Sequence, residues 1–190
     1  PVTQHTTLFI RCFWALDKVL ADARHYPSIS WTDSYTEYLD DILQWWDSID
    51  PAWEQLRSEA MNILLEDNRL QQIVKLVGPD ALPTGSRFIL FCADLIKNAF
   101  LQQNSFDPCD MYCSPDKQLK LMQTIISFYK EGKELLLAGL ELPRLLALED
   151  LSELVRLKSS IPNDEANRID AFRAAMHDHL KTLSKAAAQE

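Results

Sequence analysis

Apolar side chains recur every three or four positions through most of the chain, which is the period of a one-faced helix. Leu8, Phe9, Cys12, Phe13, Leu16, Val19, Leu20 and Ala23 predict a first helix, with Thr6 or Thr7 as its N-cap and Pro27 beyond its end. A second is expected from about Trp31 to Trp46, turning Tyr35, Tyr38, Leu39, Ile42 and Leu43 inward. Asp50-Pro51 supplies a cap followed by proline at the first helical position, opening a long helix to Val77 that Gly78-Pro79 stops. Phe88, Ile89, Cys92, Leu95, Ile96, Ala99 and Phe100 form the next stripe, which breaks at the loop Gln102 to Cys113. Ser114-Pro115 repeats the cap-and-proline start, and Leu119, Met122, Ile125, Ile126, Tyr129 and Leu136 carry a helix to about Gly139. A leucine-rich helix (Leu145 to Leu157) follows. Asn163 is read as the cap of a last helix, with Ile169, Phe172, Met176, Leu180 and Leu183 on one side and a fraying alanine-rich end.

Each segment is apolar on one face only, so each must pack on another. The expectation is an all-α helical bundle of about six to eight helices, with residues 1–140 as its core and residues 141–190 as C-terminal helices of the same domain. At 190 residues and 47% apolar content there is enough material for one buried core. Only four glycines occur, so the positive-φ positions that hairpins and dinucleotide-binding loops consume are scarce.

A formal charge of −9 argues against a nucleic-acid partner, which asks for a basic face. No apolar run reaches the ~20 residues that span a bilayer, and no signal peptide is legible, so direct membrane insertion is not expected. The chain opens Pro1-Val2-Thr3-Gln4 without an initiator Met and reads as a piece of something longer. Cys12 and Cys92 fall in apolar patterns and are expected to be small core residues. Cys109 and Cys113 lack a second ligand pair, because His177 and His179 belong to another helix face, and no metal site is expected.

Catalytic constellations are missing too. The phosphate-cradling G-x-x-x-x-G-K-[ST] loop does not occur, and no Ser-His-Asp or Cys-His arrangement is legible. Asp40-Asp41 and Glu149-Asp150 read as solvated surface. The chain alone is expected to catalyse nothing. What remains is Phe106, an aromatic in a polar loop, which from the residues alone either plugs the bundle where two helices meet or stacks on a flat ligand.

The stretch Phe100-Leu101-Gln102-Gln103-Asn104-Ser105-Phe106, followed by Tyr112-Cys113-Ser114-Pro115-Asp116-Lys117-Gln118, resembles the FLQQNxF…YCSPxKQ element of the catalytic A subunit of vacuolar/archaeal-type rotary ATPases. Phe13-Trp14-Ala15-Leu16-Asp17, Arg24-His25-Tyr26-Pro27, Trp31, Ser34-Tyr35, Tyr38-Leu39, Leu70 to Gly78 and Ile161 to Glu165 resemble the C-terminal region of the same polypeptide, in order and at compatible spacing. The resemblance implies that loop 102–113 caps the adenine end of a nucleotide site, with Phe106 packing on the base. Gln103 and Asn104 would lie near base or ribose, and Phe100 would border the pocket. Ser105 stands where alanine is frequent in the family.

The turn Gly78, Pro79, Asp80, Ala81, Leu82, Pro83, running on to Arg87, takes the place of the lever loop that touches the rotating stalk in the related ATP-synthase β subunit, with fewer acidic residues. By the same implication the parent protein binds ATP or ADP with magnesium and alternates with B subunits in a hexameric ring. It would contact the central stalk, coupling ATP hydrolysis or synthesis to proton or sodium transport from the cytoplasmic face of a membrane. The phosphate lysine, general base and metal ligands would lie upstream, so this chain alone binds no nucleotide tightly. Arg24 to Pro27 receives no role from sequence. The rival reading is a free-standing acidic helical interaction module without a nucleotide role.

Overall fold

A computed structural model describes residues 9–187; Thr6, Thr7, Leu8 and the last residues of the alanine-rich tail lie outside them. The expected first helix does not form. Strand β1 (Cys12–Phe13) pairs antiparallel with β2 (Tyr35–Thr36), Cys12 facing Thr36 and Phe13 facing Tyr35, and a bridge joins Leu16 to Ile29. Only α1 (Lys18–Asp22) is helical, because Asp17 accepts the backbone N–H of Val19 at 2.7 Å and of Leu20 at 3.3 Å, acting as a cap where a helix interior was expected. Phe9, Trp14, Leu16 and Val19 consequently face solvent, and so does Cys12, which was expected in the core and instead lies on the two-stranded sheet.

The second helix is also shorter. The hydroxyl of Ser30 donates to Asp33 at 2.8 Å and that of Ser34 to the Ser30 carbonyl, folding a turn that competes with helix, and α2 spans Leu39–Asp47. Leu39 and Leu43 are partly covered, whereas Tyr35, Tyr38 and Ile42 are exposed, contrary to expectation. Trp46 of α2 stacks on Trp53, centroids 4.0 Å apart, and so docks onto the next helix.

From there the pattern holds. Asp50 accepts the Ala52 N–H at 2.8 Å and α3 runs Ala52–Val77. Gly78 ends it at φ +83°, a left-handed conformation that suits glycine. A 3-10 turn (Pro79–Ala81) leads to α4 (Thr84–Leu95), which continues as a π turn (Ile96–Leu101) before loop 102–113. Ser114 caps α5 (Pro115–Leu137) through the Lys117 N–H at 3.3 Å.

The single leucine-rich helix is instead three short ones, α6 (Leu142–Leu146), α7 (Asp150–Leu154) and α8 (Leu157–Ser160), before α9 (Asn167–Ala187). This raises the helix count among the described residues above expectation, and the all-α class stands. Asn163 does not cap α9. It opens a 3-10 turn (Asn163–Glu165), accepts the Ser114 N–H at 2.9 Å and donates to the Tyr112 carbonyl at 3.0 Å, clipping the chain to the far limb of the loop. Asp150, read as solvated, is largely covered and meets His179 at 2.8 Å. The core lies where α3, α4 and α5 converge, with α9 along α5, around Leu64, Phe88, Cys92, Ile125, Phe128 and Ile169.

Candidate functional site: the aromatic loop at the end of the π turn

The loop begins where helical geometry relaxes. The Gln102 N–H bonds the Lys97 carbonyl at 2.8 Å, a five-residue reach that widens the last turn of α4. The same carbonyl accepts Nε2–H of buried His25 at 2.9 Å, and the Gln103 N–H donates to the Tyr26 carbonyl at 2.7 Å. The block Arg24 to Pro27 therefore lies against the root of the loop. Arg24 takes φ +56° and the Tyr26-Pro27 bond is cis. Sequence reasoning gave this block no role; an unusual Arg-His-Tyr-Pro string between turns was its only signal.

Phe106 sits at the tip and is 94% exposed, which rules out the bundle-plug alternative. Its backbone N–H donates to Oδ1 of Asn104 at 3.0 Å, a side-chain turn that props the tip. That bond assigns Oδ1 as the acceptor, and the NH2 group of exposed Asn104 takes no part in it. Gln103 differs: its NH2 donates to the carbonyls of Asp110 at 2.8 Å and Met111 at 3.3 Å and is spent on closing the loop. Phe100 is half-buried against the core, 6.5 Å from Trp53.

Two recesses flank the loop root. One, about 500 Å³, is lined by Arg24, Tyr26, Asn98, Asn104, Asp107 and Lys158 among others. The other, about 290 Å³, is bounded by Phe100, Gln103, Met111, Tyr112 and Gln118. Both lie on the scale of small-molecule sites, and each offers an exposed ring, Tyr26 at 54% and Tyr112 at 65% exposure. Neither tyrosine was singled out from sequence. A larger hollow of about 790 Å³ near Arg144, Leu148, His179 and Leu183 lies away from the loop and has no Phe, Tyr or Trp in its lining.

The loop's far limb is pinned by charge. Burial holds Lys158 below the ordinary lysine range, with Asp110 pulling the other way, and burial pushes the Cys113 thiol up. Among the described residues no cluster of three His, Cys, Asp or Glu side chains is placed to hold a metal ion. Among them, too, no helix is long and apolar enough to cross a membrane.

At the opposite end of α4, the turn after Gly78 presents Pro79, Asp80, Ala81 and Pro83 to solvent, together with Leu76 and Val77, which sequence reasoning had not included. Leu82 is 8% exposed and packs inward, so its side chain is removed from the presented surface.

An all-α bundle with an aromatic-tipped loop at one end of α4 and a proline-stiffened turn at the other thus defines the class. Residues 43–143 match the family of the C-terminal domain of V and A type ATP synthase. The chain is 45% identical over 187 residues to the A subunit of the A-type ATP synthase of Ignicoccus hospitalis, covering 97% of this chain and 31% of that protein. It is 42% identical over 184 residues to the V-type ATP synthase alpha chain of Halothermothrix orenii, covering 96% and 31%. It is 40% identical over 190 residues to the V-type ATP synthase alpha chain of Nitrosococcus oceani, covering 100% and 32%. It spans about a third of the length of these curated relatives. The chain belongs to the family of C-terminal domains of V/A-type ATP synthase A subunits.

Proposed function

We propose that this domain caps the adenine of a nucleotide held mainly by the rest of a catalytic A subunit, and that its opposite end bears on a central stalk. The observation that carries the first half is the exposed ring of Phe106 on a loop braced by Asn104, beside a recess walled by Tyr26. A ring held in solvent at the tip of a hydrogen-bonded loop gains burial by stacking on a base. Asn104 offers its NH2 donor to base or ribose, Gln103 holds the loop closed, and Phe100 supports its root from the core.

ATP or ADP with magnesium would bind through phosphate and metal ligands outside this chain, whose own sequence has no phosphate-cradling loop. One aromatic stack is worth ~1–3 kcal/mol, so the chain alone would hold ATP no better than about millimolar and turn over none. In the parent, the A subunits would alternate with B subunits in a hexameric ring on the cytoplasmic face of a membrane, coupling ATP hydrolysis or synthesis to proton or sodium transport. Leu76, Val77 and the exposed part of the turn from Pro79 to Pro83 form the stalk-facing surface in this reading.

The test is Phe106→Ala and Phe106→Tyr in the full-length parent protein. The alanine variant should lose roughly 0.5–1.5 kcal/mol of nucleotide affinity with melting unchanged, and the tyrosine variant should keep it. A purely thermal effect would sink the adenine assignment.

A further inference from the structure

Beneath the loop lies a polar core that base stacking does not itself use. Lys158 of α8 is 6% exposed and donates Nζ to the carbonyls of Phe100, at 3.0 Å, and Gln102, while Oδ1 of Asp110 lies 3.2 Å away as an ion-pair partner outside hydrogen-bond alignment. Asp110, equally buried, uses its other oxygen to accept the Asn104 N–H at 2.6 Å. One ammonium thus ties the end of the π turn to the far limb, and one carboxylate passes the tie to the residue that props Phe106.

A second buried ammonium holds the first in place. Lys117 of α5 has no exposed surface and donates to the carbonyls of Lys158 at 2.7 Å and Cys109 at 2.9 Å, fixing α8 against the loop. Burying ammonium groups is expensive, and an aliphatic chain of similar volume would fill the same space at lower cost. What an aliphatic chain cannot do is hold two carbonyls and a carboxylate at fixed distances. The Lys158 recess also opens directly beside Tyr26 and Asn104.

We propose that Lys158 is a positioning residue for base recognition, setting through Asp110 the height and orientation of the Asn104–Phe106 tip against Tyr26. This rests on the adenine-capping reading above. Lys158 need not touch nucleotide, and it lies beyond the residues that match the family model.

The experiment uses the full-length parent protein in its assembled complex, with KM and kcat measured for ATP and for GTP. Lys158→Met and, as a shape-conserving second variant, Asp110→Asn should each raise KM for ATP about 10-fold with kcat within about 2-fold, and flatten the preference for ATP over GTP. The double variant should be no worse than the poorer single, since both cut one tie. Ile126→Val, a core change of modest cost far from the loop, controls for lost stability. If Lys158→Met and Asp110→Asn merely lower melting, as Ile126→Val does, with KM and base preference intact, the positioning role is overturned. Phe106→Ala separates this from the parent reading: an unchanged KM for ATP there removes adenine capping itself, whereas a raised KM there with KM and base preference intact in Lys158→Met removes only the role of Lys158.

Discussion

Nζ of Lys97 lies 2.6 Å from Oδ2 of Asp67, joining the π turn of α4 to the middle of α3 around a carboxylate that is almost wholly buried. The second Asp67 oxygen accepts from Gln71 at 3.1 Å, so the acid is satisfied within the helix pair. The Lys97 backbone carbonyl is the acceptor shared by the π turn and His25, which makes this pair the footing of the loop root. Asp67→Ala removes the buried partner of Lys97, whose ammonium keeps Asp94 at 3.3 Å, and should cost about 1.5–3 kcal/mol, read from urea unfolding. A loss below ~1 kcal/mol would show the pair to be solvent-screened.

Gly132 sits inside α5, where replacement by alanine ordinarily gains about 1 kcal/mol of helix propensity. Here a methyl group would stand 2.5 Å from the ring of Phe88, itself packed on Phe128 and Tyr129. Overpacking of this kind costs roughly 1–3 kcal/mol, so Gly132→Ala should lower the unfolding midpoint. A raised midpoint would show that the Phe88 ring yields freely.

Long periodic helices were legible because local signals agreed with tertiary ones: Asp50-Pro51, Gly78 and Ser114-Pro115 punctuate α3 and α5 where expected. Residues 9–38 were not, because the helical spacing of Phe9, Leu16 and Val19 competes with the Asp17 cap and the Ser30–Ser34 turn, and those local bonds prevail. Of the candidate site, the residues alone left Phe106 open between a plug of the bundle and an exposed ring, because a ring among amides suits either, and its exposure at the loop tip decides between them. Tyr26 was not legible, since 77 residues of sequence separate the hydrogen-bonded pair Tyr26 and Gln103 and nothing local announces the contact. Lys158 was equally hidden: a lysine in an amphipathic stretch reads as surface until its acceptors are seen.

Burial pushes the Cys92 thiol well above its ordinary range. Past about pH 8.5 the unfolded chain sheds this proton and the folded chain keeps it, so the unfolded state binds fewer protons and stability falls as pH rises. Cys92→Ala should flatten that decline between about pH 8 and about pH 10 in urea titrations. In the folded chain an alkylating reagent should label exposed Cys12 and spare Cys92. Equal labelling would contradict the burial.

Because Leu82 packs inward, Leu82→Ala should cost ~2–4 kcal/mol of stability, whereas Asp80→Ala stays within about 0.5 kcal/mol. In the assembled enzyme Asp80→Ala should also leave the number of ions moved per ATP unchanged if the turn bears on its partner by shape. Pro83→Gly should reduce that number by loosening the turn. A large fall in the Asp80 variant would point to a charged contact.

Photolabelling tests the adenine assignment most directly. An azidoadenine nucleotide, bound to the full-length parent protein in its complex and irradiated, should attach to peptides carrying Tyr26 or Phe106, with excess ATP abolishing the label. Phe106→Ala should move the label toward Tyr26. Labelling that avoids both residues, at occupancy verified by bound nucleotide, would contradict the account.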